Sequence, residues 1–249
     1  MKAYDVALDV YDIIINNKTE KKDGVTVEDV VPTATLKDTR DNKEYTIAKL
    51  ADGKCWMTQN LDLGGSTEIT ITPADSDITS NFTLPVAQTS GTDPWGSDGT
   101  SINTPHVYDT PETVGQDGKT YTQKELGNLY NWNAATAGTG TYSISGGEQA
   151  TGSICPKGWR LQDIVGQYQG DGVYEGEVKD FSQLARVYGA IYNVKENQPY
   201  HGGTHGILYS YSADSVARLY AAPLNLVRSG NYDGYGGGLN NVGGYGCLW

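Results

Sequence analysis

Thr35-Leu-Lys-Asp-Thr-Arg-Asp-Asn-Lys-Glu-Tyr-Thr-Ile-Ala-Lys-Leu50 reads as a strand, an Asp-Asn turn and a second, alternating strand that sets Tyr45, Ile47 and Leu50 inward. Asp-Asn between two apolar-alternating runs is hairpin chemistry, because both residues tolerate the tight backbone of a turn. A further turn, Ala51-Asp-Gly-Lys54, leads into Cys55-Trp-Met57, which is expected to form a small buried apolar knot.

Composition agrees with that start. Only 37% of the 249 residues are hydrophobic and 32 are Gly, and the mean hydropathy is -0.49, which favours short strands joined by many turns over a helical bundle. An α+β or mostly β domain is expected. The formal net charge is -12 and the 18 Lys and Arg are scattered, so no basic stripe exists to neutralise phosphates and nucleic acid is excluded as a partner. No apolar run approaches membrane-spanning length, so this segment is not expected to insert into a membrane. Met1-Lys-Ala-Tyr-Asp-Val-Ala-Leu-Asp-Val10 lacks the uninterrupted apolar core of a signal peptide, so for an exported protein the signal is removed or lies outside this sequence.

Before the hairpin, residues 1–34 read as an N-terminal strand or linker segment. Asp5-Val-Ala-Leu-Asp-Val-Tyr-Asp-Ile-Ile-Ile15 fits a partly alternating strand and a short helix equally well. After it, residues 64–123 form a long tract rich in Thr, Ser, Asp, Gly and Pro with few apolar anchors, expected as a functional loop insertion or a partly disordered stretch. Trp95 is its one large anchor, either a ligand platform or a pin holding its own loop to the core. Two helices are expected. Thr122–Ala135 would place Leu126, Leu129, Tyr130 and Ala134 near one face, and Lys179–Tyr192 would place Phe181, Leu184, Tyr188 and Ile191 at helical spacing behind the cap candidate Asp180.

The last stretch, Arg228-Ser-Gly-Asn-Tyr-Asp-Gly-Tyr-Gly-Gly-Gly-Leu-Asn-Asn-Val-Gly-Gly-Tyr-Gly-Cys-Leu-Trp249, is made almost wholly of Gly, Asn and Tyr. Tyr offers a large, stiff, amphipathic contact surface, while Asn and Gly offer adaptable hydrogen bonding, the composition of binding loops. The plainer alternative is a Gly-rich closing strand with its Tyr residues half in the core.

Motifs for chemistry are sparse. His201-Gly-Gly-Thr-His205 has zinc-like spacing, but Gly-Gly opposes the helix that this spacing needs. Asp171-Gly-Val-Tyr-Glu-Gly-Glu177 holds carboxylates in a turn without the ligand register of a calcium-binding EF-hand. Asn17-Lys-Thr19 and Asn81-Phe-Thr83 match the glycosylation acceptor pattern. With His106 the only other histidine, few residues can serve as a catalytic base, and no GxSxG, P-loop or dinucleotide fingerprint is present. Cys55, Cys155 and Cys247 lie far apart without CxxC pairing. They fit one long-range disulfide with an odd thiol, in any of three pairings, or three free thiols in a reducing compartment. No metal or cofactor is expected.

Three segments carry a family resemblance: Asp38–Tyr45 running into Gly53-Lys-Cys-Trp-Met-Thr-Gln-Asn-Leu61, Gly127-Asn-Leu-Tyr-Asn-Trp-Asn-Ala-Ala135, and Ile154-Cys-Pro-Lys-Gly-Trp-Arg-Leu161. Together, in this order, they resemble the Fibrobacter succinogenes major paralogous domain of bacterial surface and secreted proteins. The likeness covers residues 35–249. It implies an α+β, C-type lectin-like fold, similar also to formylglycine-generating enzymes, with short strands, two helices and long irregular loops. Gln162-Asp-Ile164 departs from the Pro-Thr that usually follows the third segment. Members usually continue beyond the position of Trp249 to a last strand, so the domain is expected to be C-terminally incomplete.

On this resemblance Trp56, Trp132 and Trp159 are expected as core anchors, and the C-terminal region as a ligand surface of the kind varied in diversity-generating retroelement proteins. The implied protein is not an enzyme but an extracellular or cell-surface adhesion module. Its partner would be a glycan or protein, met through Tyr232, Tyr235, Asn240, Asn241, Tyr245 and Trp95. Two rivals stand beside it: a self-associating structural surface protein, and a formylglycine-generating type of enzyme, for which Cys247 is the only cysteine near the C-terminus.

Overall fold

The computed structural model describes residues 33–50, 52–88, 103–140 and 150–162, together with positions 180, 184, 191–192, 209–210, 224, 231–233, 238–240 and 242. Among these residues the fold is α+β, with many short strands in small antiparallel sheets and two one-turn helices. The expected segment Asp5–Ile15 lies outside them.

The hairpin forms as read, and a third strand extends it into a meander. Strands β1 (Thr33–Lys37), β2 (Glu44–Lys49) and β3 (Cys55–Met57) make an antiparallel sheet in the order β1-β2-β3, with Leu36 opposite Tyr45 and Ile47 opposite Met57. The first turn closes through the Asp38 amide on the Lys43 carbonyl, and Asn42 takes the left-handed conformation, φ 62°, that Asn accepts more readily than most residues. Tyr45, Ile47 and Leu50 are buried. The expected knot at Cys55–Met57 is corrected: β3 is an edge strand, Cys55 is exposed, and Trp56 and Met57 are half-buried.

The tract from residue 64 is corrected more deeply, because it carries the core. Strands β4 (Ile69–Ile71) and β5 (Phe82–Leu84) pair antiparallel, and Leu63, Ile71, Ile78, Leu84 and Val107 bury together with Ala134, Ala137 and Ile154. These apolar side chains come one per turn or short strand, so no periodic run announces them, yet each fills the same interior. Strand β6 (Val107–Tyr108) follows, then the hairpin of β7 (Thr113–Val114) and β8 (Thr120–Tyr121). Trp95 lies outside the described residues.

The helix expected over Thr122–Ala135 is broken in two. Helix α1 (Gln123–Leu126) starts on a capping box, in which the Thr122 hydroxyl accepts from the Glu125 amide and the Glu125 carboxylate accepts from the Thr122 amide. Gly127 stops it at φ 65° and ψ -171°, a conformation that only glycine adopts readily. Strand β9 (Leu129–Tyr130) then pairs with β6, and Asn131 caps helix α2 (Trp132–Ala135) by accepting from the Ala134 amide. Leu126, Tyr130 and Ala134 still reach inward, from three different elements.

In the second expected helix, Asp180 and Leu184 are helical and buried. The helical reading fails at its end, because Ile191–Tyr192 is strand β10, paired with β11 (Tyr209–Ser210). Ile191 is β-branched and Tyr192 aromatic, residue types that favour strand. Phe181 and Tyr188 lie outside the described residues. Trp56, Trp132 and Trp159 are all half-buried, and only Trp56 has its indole N–H satisfied by a carboxylate, that of Asp52 at 3.0 Å.

Three charged fastenings join distant segments. Asp38 and Arg40 form an almost fully buried pair, and Arg40 also donates to the Ile154 carbonyl. Lys43 pairs with Asp62 at 2.8 Å and donates to the Asp62 and Gly64 carbonyls. Buried Asp180 takes both Lys54 and Arg160. Such pairs fix register between loops that have little apolar surface to do so, and losing one partner strands a buried charge.

Candidate functional site

The Gly, Asn and Tyr-rich tail supplies strands β12 (Asn231–Asp233) and β13 (Gly238–Asn240), an antiparallel ribbon with Asn231 opposite Asn240, Tyr232 opposite Leu239 and Asp233 opposite Gly238. Alternation along a strand therefore puts positions 232 and 239 on one face, and positions 231, 233, 238 and 240 on the other. Of the residues expected to bind ligand, Tyr232 and Asn240 are thus placed on one ribbon but on opposite faces. Tyr235, Asn241, Tyr245 and Trp95 lie outside the described residues.

The ribbon is seated. Just past β13, Val242 is buried and its carbonyl accepts from the Gln116 amide at 2.7 Å, in the turn of the β7–β8 hairpin. That turn is closed by the Gly115 amide on the Lys119 carbonyl and the Gly118 amide on the Gly115 carbonyl. Asp117 accepts from the Lys119 amide at 3.1 Å and from the Tyr121 hydroxyl at 2.7 Å. The Tyr121 hydroxyl, then the Lys119 amide, hold the Asp117 carboxyl below the usual carboxylate range. Beside this seat Val114 is 68% exposed, the most exposed of the large hydrophobic residues described.

Sequence reasoning missed this seat. Asp117-Gly118 between Thr113-Val114 and Thr120-Tyr121 is a hairpin signal that could have found the turn. Nothing local marks Gln116 as the partner of Val242.

Among the described residues no group of three or more His, Cys, Asp or Glu side chains could hold a metal ion. His106 stacks on Tyr108 with ring centroids 6.3 Å apart and meets the Thr104 hydroxyl at 3.2 Å. Cys55 and Cys155 are free thiols, so the long-range disulfide is not found between them. Burial pushes the Cys155 thiol up, away from the reactive thiolate. Cys247, His201, His205 and the carboxylates of Asp171–Glu177 lie outside the described residues. Asn81 is exposed. No helix among the described residues is long and apolar enough to cross a membrane.

Compared with known proteins, the chain matches no family model, no curated protein and no solved structure.

Proposed function

We propose that this chain is a non-catalytic binding domain of a bacterial surface or secreted protein, with a C-type lectin-like fold of the Fibrobacter succinogenes major paralogous kind. It recognises a glycan or protein ligand through its C-terminal surface, using Tyr232, Tyr235, Asn240, Asn241 and Tyr245 together with Trp95. The observation that supports this reading best is the ribbon itself. Its strands are Asn-Tyr-Asp and Gly-Leu-Asn, a composition suited to contact, and just past β13 the buried Val242 anchors it. Tyr on a seated ribbon gives contact area at low entropy cost.

The test is binding of the purified chain to a glycan array and to whole bacterial and host cells, beside a Tyr232, Tyr235 and Tyr245 to Ala variant. Binding by the wild type that is lost in a folded variant is the expected result. Equal binding by both moves the site off the tail, and no binding by the wild type removes the reading.

One observation favours a second reading, self-association. β12 and β13 form a two-stranded sheet among the described residues, and ribbon edges of this kind pair with their like. Sedimentation across a concentration series separates the two, since a ligand-binding monomer shows no tail-dependent oligomer.

A further inference from the structure

We infer that the turn Gly115–Lys119 is a positioning element for the proposed ligand surface, setting where the end of β13 at Asn240 stands. The inference rests on the binding reading above. Asn240 is held by the ladder to Asn231, and Val242 is held by the Gln116 amide at 2.7 Å.

Gly115 makes the joint possible. A Cβ there would stand 2.7 Å from Tyr121 Cε2, 2.9 Å from Asp117 Oδ1 and 3.0 Å from the Val242 carbonyl oxygen. The Tyr121 ring and the Asp117 carboxylate, linked by their own 2.7 Å hydrogen bond, curl over the glycine and leave room for that carbonyl alone. Any larger residue at 115 must push out the ring, the carboxylate or the tail. Gly115, Asp117 and Tyr121 act on the ligand through the tail, which makes them positioning residues rather than contacts.

Hydrogen exchange on the purified chain tests the joint without any ligand. In the wild type the Gln116 amide is protected although its residue is exposed. In Gly115→Ala, exchange across 231–242 rises by about tenfold, the equivalent of one net hydrogen bond, while β1 and β2 keep their protection. A Gln116 amide that exchanges freely in the wild type overturns the joint even if Gly115→Ala fails to fold. The same variant is then applied to the glycan array and cell panel. Weakened binding with an unchanged unfolding midpoint is expected, and Glu68→Ala, at an exposed position outside this turn, serves as the neutral control. Wild-type-like binding by a folded Gly115→Ala overturns the positioning role while leaving the binding reading intact. Absence of binding by the wild type removes the binding reading and, with it, the claim that the joint positions a ligand surface.

Discussion

Gly127 shows how much of this fold rests on single backbone positions. It ends α1, donates its amide to the Gln123 carbonyl at 2.8 Å, and brings its Cα so close to the Leu61–Asn60 segment that a Cβ would lie 2.6 Å from the Leu61 carbonyl oxygen. Two costs therefore add in Gly127→Ala: strain at a glycine-only conformation, and a backbone clash that no rotamer change relieves. The expected loss is about 3 kcal/mol or more in urea unfolding. Gly118→Ala is the control. Gly118 has φ 77° but open space where its Cβ would go, so only the strain remains and a loss of about 1 kcal/mol is expected. Equal losses in the two variants would mean that the clash at residue 127 relaxes away. The Gly127-Asn-Leu-Tyr-Asn sequence held this information, since Gly stops helices and Asn starts them. The helical spacing of Leu126, Leu129, Tyr130 and Ala134 outweighed it because an apolar position is consistent with burial from either element.

At the scale of elements, the segment Leu61–Gly64, whose Leu63 is buried in the core, is fastened by polar groups as well. The Asp62 amide donates to the Tyr45 hydroxyl at 3.1 Å, the Tyr130 hydroxyl donates to the Leu63 carbonyl at 2.7 Å, and Lys43 binds the Asp62 carboxylate. Asp62 keeps one carboxylate oxygen without a hydrogen bond, as does Asp41, whose nearest cation is Lys43 at 3.8 Å. Burial raises the pKa of both carboxyls, against the opposing pull of Lys43. A carboxyl with a folded pKa above its unfolded value opposes folding when charged at neutral pH, and that opposition is relieved as the pH falls through the folded pKa. Asp75 and Glu125 work the other way. Hydrogen bonds from Thr72 and Thr122 hold their pKa values low, so their contribution is lost only in stronger acid. The unfolding midpoint in urea is therefore expected to hold or rise from pH 7 to about pH 5 and to fall below that. Asp62→Asn should flatten the upper limb, and a wild-type midpoint that declines steadily from pH 7 overturns the assignment. The β1–β2 hairpin was legible because its period of two and its polar turn lie within one short stretch. The fastening of Leu61–Gly64 was not, because it joins residues from three segments far apart in sequence.

For the whole molecule, charge is the property that sequence states most directly. Thirty Asp and Glu stand against 18 Lys and Arg, so the folded chain repels itself, and salt relieves that repulsion beyond a Debye length of about 10 Å at 0.1 M. Salt also weakens ion pairs, so the sign of its effect depends on how exposed they are. Lys43, Lys54 and Arg160 are 36%, 44% and 64% exposed in their side chains and lose some attraction, whereas Asp38 and Arg40, at 2% and 3%, lose little. Exposed pairs are worth about 1 kcal/mol or less each, while repulsion among a surplus of 12 negative charges acts on the whole surface. Stability in urea is accordingly expected to rise when NaCl is taken from about 0.01 M to about 0.5 M. A fall would mean that the fastenings at Lys43, Lys54 and Arg160 outweigh the general repulsion, and charge-neutral variants at Asp180 and Asp62 would then lose their sensitivity to salt. The same contrast explains what of the candidate surface could be read in advance. Its composition lies in the tail's own letters, but its seat is a pairing of Gln116 with Val242 across half the chain. Only folding brings those two residues together, through a core built of scattered single apolar side chains that no local pattern reveals.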